Sequence, residues 1–212
     1  MPRDADRRES ILRAAAAAFA ERGFAATSMD DVASAAGISR LIVYRHFDSK
    51  EGLYGAVLER VSARLGEVLT AQLGLEDRTG RAAVAATMSV GREDPAAFTL
   101  LWRHAAREPR FAEYAEAYRE RAVEFAGGVL AGAMAGGTSK AERRWAAETM
   151  VTYVIGAVLH WLEEGSPAGD EAVVERVSAS LPALVQAWAG SATTRTHVRY
   201  TDRRGRAQME AG

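Results

Sequence analysis

Apolar residues recur every three or four positions along most of this chain, and no β-branched run alternates with polar residues for the length of a strand. Ile11, Ala15 and Phe19 form one i, i+4 row with Leu12, Ala16 and Ala20 beside it, which predicts a first amphipathic helix from about Asp6 to Arg22. Gly23 stands where a left-handed cap would end it. A second, shorter helix follows Thr27 or Ser28 as N-cap, with Asp30 and Asp31 in its first turn, where the helix dipole favours anions. Met29, Val32, Ala33 and Ala36 make its buried stripe, and Gly37 breaks it. Ser39 caps a third helix in which Val43 and Phe47 lie one turn apart and face inward, joined by Ile38. Asp48 or Ser49 caps a fourth, reaching about Gln72.

Two short helices joined by a glycine turn are the sequence form of a helix-turn-helix, whose second helix lies in the DNA major groove. Beyond Leu73 the periodicity predicts helices at about 79–90, 94–107, 109–135, 139–164 and 170–189. Breaks are expected at Gly91 to Pro95, at Pro109, at Gly136–Gly137 and at Gly165 to Gly169, and Pro182 is expected to kink the last helix. From Ser191 onward the chain is polar and arginine-rich without periodicity and reads as a loose tail. The fold class expected is all-α.

Composition narrows the function. With 48% hydrophobic residues the chain can bury a core, and with no cysteine it has neither disulfides nor thiolate metal sites. No stretch approaches the about 20 apolar residues of a membrane span. The alanine run Ala14–Ala18 lies between Arg13 and Glu21 in a helical period, unlike a signal-peptide core, so a cytoplasmic protein is expected. His46, His104, His160 and His197 show no metal-ligand spacing, and no nucleophile-elbow or phosphate-loop pattern occurs, so neither an enzyme nor a cofactor is expected. The net charge of −1, with eight basic and eight acidic residues over 1–53, means that any grip on DNA phosphate must come from local placement of charge.

The third helix supplies such placement. With Val43 and Phe47 turned inward, Arg40, Leu41 and Tyr44 point outward. Arg40 stands near the helix N-terminus, the end that usually enters the groove, and its fork suits guanine O6 and N7. Tyr44 and His46 can donate to phosphate, and Leu41 or Ile42 can meet a thymine methyl. Lys50 and Lys140 are the only lysines, and Lys50 stands in the first turn of the fourth helix, where a cation opposes the dipole. A phosphate docked at that helix end would reverse the cost.

The segment from Arg7 to about Leu58 resembles the N-terminal domain of TetR-family (TetR/AcrR) transcriptional regulators. The matching features are Phe19…Gly23, Thr27-Ser28-Met29-Asp30-Asp31-Val32-Ala33, Ala36-Gly37-Ile38-Ser39, Tyr44-Arg45-His46-Phe47 and Ser49-Lys50-Glu51-Gly52-Leu53. Ile42 departs from the small or hydroxyl residue more often found at its position. The resemblance implies that the positions of Thr27, Arg40, Leu41, Tyr44, His46 and Lys50 contact double-stranded DNA, and Ser39 joins them as a candidate. It also implies a helical C-terminal domain that binds a small-molecule effector and forms a homodimer. The expected division is a helix-turn-helix domain over 1–48, a ligand-binding and dimerisation domain over 49–190, and a tail over 191–212.

The residues of the second half give partial support of their own. Ala147, Val151, Val154, Val158 and Trp161 form one stripe, and Ile155, Leu159 and Leu162 a second, so this helix needs cover on two sides. Val174, Val177, Leu181, Leu184 and Trp188 step 3, 4, 3, 4 as a bundle seam. Val158, Trp161 and that seam are the candidate dimer interface, against the alternative of an ordinary intramolecular bundle. Phe111, Tyr114, Tyr118 and Phe125, with Met88, Phe98 and Trp102, are the candidate lining of an apolar effector pocket, or plain core. Tyr114, Tyr118 and Tyr153 can supply its polar groups, and Arg103, His104 and Arg107 form a further polar cluster. The expected function is a ligand-responsive regulator, a repressor released from a palindromic operator. Its rivals are an effector-independent regulator, and a helical ligand-binding protein or enzyme with a vestigial helix-turn-helix.

Overall fold

A computed structural model describes residues 4–72, 80–132, 134 and 138–190, and every regular element among them is helical. The helices are α1 (Asp4–Ala26), α2 (Met29–Ala35), α3 (Arg40–His46), α4 (Lys50–Gln72), α5 (Arg81–Glu93), α6 (Pro95–Thr99), α7 (Ala112–Ala131), α8 (Lys140–Glu164) and α9 (Asp170–Gly190). No helix among the described residues is long and apolar enough to cross a membrane. The tail arginines and the Gly136–Gly137 break lie outside the described residues.

Each end of the first three helices has a local cause. α1 is interrupted at Gly23, where φ is 81° and ψ is 164°. That is not the left-handed helical cap expected but a region open essentially only to glycine. α2 starts at Ser28, whose hydroxyl accepts from the Asp31 amide while the Asp31 carboxylate accepts from the Ser28 amide. It ends in a full Schellman pair, with the Gly37 amide on the Ser34 carbonyl and the Ile38 amide on that of Ala33. Gly37, at φ 66°, makes the turn. Ser49 receives the Gly52 amide on its hydroxyl and so opens α4.

Gly23 has no atom within 4 Å of an added Cβ, so space does not select it; the backbone angle does. Gly23→Ala is therefore expected to lower stability by about 1–3 kcal/mol, the usual cost of such a conformation for a residue with a Cβ. A denaturant midpoint that does not move in that variant would refute the assignment.

Phe19, Val32 and Val43 are fully buried at the centre of this three-helix head, with Phe47, Ala33 and Ile38 around them. Each large side chain there contributes about 1.5–3 kcal/mol before entropy. The packing of this head continues onto α4. Phe19 and Phe24 pack edge-on against Tyr54 of α4, and Phe111 lies 4.2 Å from the Tyr54 ring centroid. Arg60 of α4 adds a polar clamp, pairing with Glu9 of α1 and with Asp94, the N-cap of α6.

The body is a bundle of α5 and α7 to α9, with α6 extended by a π-helical turn over Leu100–His104. The break expected at Gly91 to Pro95 falls at Asp94: α5 runs through Gly91 to Glu93, and at Gly91 an added Cβ would stand 2.7 Å from Leu162 of α8. α9 continues through Pro182. α8 ends at Gly165, and Trp161 folds over that turn, its indole N–H donating to Asp170, which Arg92 also holds.

Candidate nucleic-acid interface

The helix-turn-helix presents one face of α3 and buries the other. Val43 is fully buried and Phe47 is 6% exposed, whereas Leu41 is 73% exposed and Tyr44 stands beside it. Arg40 lies over the Tyr44 ring at 5.2 Å, donates to the Tyr44 hydroxyl at 3.3 Å and pairs with Asp30 of α2 at 2.9 Å. The guanidinium is thus held at the N-terminal end of α3 before any ligand arrives. Arg45 is also exposed on α3, a candidate that sequence reasoning left inside a motif rather than on a face. Its position one residue after Tyr44 was the available signal.

Ser39 adopts the N-cap backbone conformation of α3, and its carbonyl accepts from Ile42. Its hydroxyl oxygen accepts no cap hydrogen bond and the residue is exposed, so its O–H can donate to phosphate.

Three other candidates stand differently from expectation. Thr27 is 1% exposed, and its hydroxyl donates to the Gly23 carbonyl at 2.8 Å and the Ala18 carbonyl at 3.2 Å. It fastens the interrupted end of α1 and caps nothing. The His46 side chain is only 10% exposed, with Nε2 3.6 Å from Asp4. It lies toward α1, not on the open face of α3. Lys50 donates to the Phe24 carbonyl at 2.8 Å and lies 4.4 Å from the Phe24 ring centroid. Its ammonium therefore meets the negative, carbonyl end of α1, which offsets the dipole cost at its own helix without a phosphate. In this conformation Lys50 couples α1 to α4.

The α2 N-terminus is well fixed. Hydrogen bonds from Ser28, first from its hydroxyl and then its amide, and from Arg22 hold the Asp31 carboxyl down to about 2.

In the body, an apolar cavity of about 90 Å³ has walls from α4, α5, α7, α8 and α9. Trp102, Tyr118 and Phe125 line it, as expected. Met88, Phe98 and Phe111 do not: they are buried in the continuous core, Phe111 against Phe24 and Tyr54. Tyr114 is 56% exposed, and Tyr153 is exposed with its hydroxyl on Ser180, so neither reaches the cavity. Leu65 and Leu69 of α4 and Met150 of α8 were missed, because an aromatic stripe shows one wall of a cavity and not its other walls. Arg103 pairs with Glu163 on the surface.

The candidate dimer residues divide as well. Val158, Val174, Val177 and Leu181 are buried within one subunit, so the seam they form is intramolecular. Trp161 closes the α8–α9 turn. Leu184 and Trp188 remain partly exposed, Trp188 edge-on to the exposed Trp145 at 5.2 Å.

Comparison with known proteins agrees with this geometry. Residues 11–57 match the family model described as bacterial regulatory proteins, tetR family. The chain is 30% identical over 179 residues to the HTH-type transcriptional activator FasR of Mycolicibacterium smegmatis, a match covering 82% of this chain and 80% of that protein. It is 40% identical over 78 residues to the HTH-type transcriptional repressor Rv3405c of Mycobacterium tuberculosis, a match covering 34% of this chain and 42% of that protein. Among solved structures, the TetR-family regulator PfmR of Thermus thermophilus superposes with a TM-score of 0.67 at 23% identity, covering 82% of this chain and 97% of that one. AibR, solved in complex with isovaleryl coenzyme A and operator DNA, does so at 0.64 and 21%, covering 82% of this chain and 96% of that one. From the spacing of its two short helices, the exposed face of α3 and the match to FasR across most of both chains, the protein belongs to the TetR family of bacterial DNA-binding transcriptional regulators.

Proposed function

We propose that this protein is a homodimeric, ligand-responsive repressor that leaves a palindromic operator when a small apolar effector enters its body. The observation that carries the reading is the face of α3: Arg40, Leu41 and Tyr44 are displayed by a helix anchored through Val43 and Phe47. Residues 1–48 act as reading head and 49–190 as effector-binding and dimerising body. The protein works in the cytoplasm and by binding, with no catalytic step.

Two heads are needed because a palindrome offers two half-sites about 34–36 Å apart. The outward face of α8 and α9 supports pairing, with Trp145 40% and Tyr153 39% exposed beside Leu184 and Trp188. Effector control is supported by α4, a helix of 23 residues that carries Lys50 and Tyr54 at the head and lines the cavity with Leu65 and Leu69. At 1.5 Å per residue, Lys50 and Leu65 lie about 22 Å apart on one rod.

The activator name of FasR, the longer of the two curated matches, favours activation as a second reading. Selection of bound fragments from source genomic DNA, followed by footprinting and a reporter with the gene deleted, tests both. A palindromic footprint over the promoter with raised reporter output on deletion supports repression. Lowered output assigns activation, and failure to enrich any sequence removes the regulator reading.

A further inference from the structure

The two adjacent carboxylates at the start of α2 have different roles. Asp31 serves its own helix: its carboxylate receives the Ser28 amide, the Ser28 hydroxyl and the Arg22 guanidinium. That capping box is complete without Asp30. Asp30 turns instead to α3, where its Oδ2 accepts from Arg40 Nη1 at 2.9 Å, and its Oδ1 accepts nothing among the described residues. Both members of the pair stay open after they meet, the Arg40 side chain at 58% exposure and that of Asp30 at 60%. Arg40 gives one N–H of Nη1 to Asp30 and one of Nη2 to the Tyr44 hydroxyl. Each of these nitrogens carries a second N–H, so the fork keeps donors for the O6 and N7 of a guanine.

The exposed end of α3 thus offers donors from Arg40 and, 2.9 Å beside them, an acceptor from Asp30. That order of groups is the complement of one base-pair edge. In the major groove a G·C pair shows guanine N7 and O6 as acceptors and the cytosine N4 amino group as a donor. O6 and N4 are hydrogen-bonded to each other, so they stand about 2.9 Å apart, which matches the spacing of Nη1 and Oδ2. Other bases suit a carboxylate less well. Guanine and thymine present it with acceptors, and adenine sets its N7 acceptor beside its amino group. Cytosine is the base whose polar edge is a donor alone. A lone carboxylate would also be repelled by the phosphates, whereas the Asp30–Arg40 pair reaches the groove with no net charge.

Resting on the DNA-reading face of α3 described above, we propose that Arg40 and Asp30 read the two halves of one G·C pair in each half-site. Arg40 takes guanine O6 and N7, and Asp30 takes cytosine N4. Asp30 is then a specificity-determining residue supplied by α2, outside the helix that enters the groove. Thymine or guanine in the place of that cytosine turns an acceptor toward the carboxylate and is rejected. Tyr44 holds the guanidinium from the other side, with its ring centroid 5.2 Å away.

The test uses the full chain and a fragment it enriches from source genomic DNA. In one half-site, guanines are replaced singly by 7-deazaguanine, which lacks N7, and cytosines by pyrimidin-2-one, which lacks the amino group. Each duplex is bound by the wild type, Arg40→Ala and Asp30→Ala. One guanine should matter to the wild type and not to Arg40→Ala. Removing the amino group of the cytosine paired with it should weaken the wild type about three- to tenfold, the worth of one hydrogen bond, and Asp30→Ala less than about twofold. The wild-type arm stands without any variant: if every cytosine amino group in the half-site is dispensable, the proposal is overturned. Dependence on a cytosine of a different pair, or an equal loss in wild type and Asp30→Ala, overturns it too. An enriched fragment without this coupling removes the inference alone, whereas failure to enrich any fragment removes the regulator reading with it.

Discussion

Arg40→Ala is expected to erase most of the preference for operator over random duplex while leaving random-duplex affinity nearly unchanged. A bidentate arginine–guanine pair is worth about 1–3 kcal/mol of discrimination, and a symmetric dimer uses it twice, giving about 2–6 kcal/mol. The scaffold should survive, since Arg40 is on the surface and its pair with Asp30 joins two exposed side chains. Competition binding with the selected fragment and a scrambled copy, across salt concentrations, reads the effect. An equal loss on both duplexes, with a shallower salt slope, would reassign Arg40 to phosphate. Asp30→Asn is the informative partner. It frees the guanidinium from its carboxylate and should raise random-duplex affinity, because a negative charge beside the groove is removed.

Tyr118→Phe is expected to separate effector binding from DNA release. The ring would remain as cavity wall and keep its edge-on contact with Trp102, at 6.1 Å and 73°. Only the hydroxyl that holds the Ser62 carbonyl of α4 would go. Folding loses little, about 1 kcal/mol for one such bond. Coupling between sites in regulated proteins is commonly about 5–150-fold, and here it should shrink, since the rod that reaches the head would keep only the apolar contacts of Leu65 and Leu69 with the cavity. Operator affinity with and without an effector that enters the cavity measures the coupling, and calorimetry checks that the same effector still binds the variant. Undiminished release in the variant would show that α4 moves through Leu65 and Leu69 alone.

The head was largely legible in the sequence because its signals are local. The i, i+4 rows of α1, the Ser28–Asp31 box and the Gly37 turn each depend on residues a few positions apart. What escaped was tertiary. The sequence shows Lys50 opposing the dipole of its own helix but not the carbonyl end of α1 brought against it. Thr27 reads as a cap because the two carbonyls that take its hydroxyl depend on the interruption at Gly23. In the body, periodicity marked Val158 and the Val174–Leu181 row as apolar faces, yet a period carries no label for the surface that covers it. The cover came from the same subunit.

The aromatic group Phe19, Phe24, Tyr54 and Phe111 draws its members from both sides of the boundary proposed at residue 48. A graft of residues 1–48 onto a foreign scaffold would therefore carry half a seam, with two phenyl rings facing whatever the new host provides. Exchange of DNA specificity between relatives is better made by rewriting the outer residues of α3 than by swapping the segment whole, since its interior was shaped for one particular neighbour.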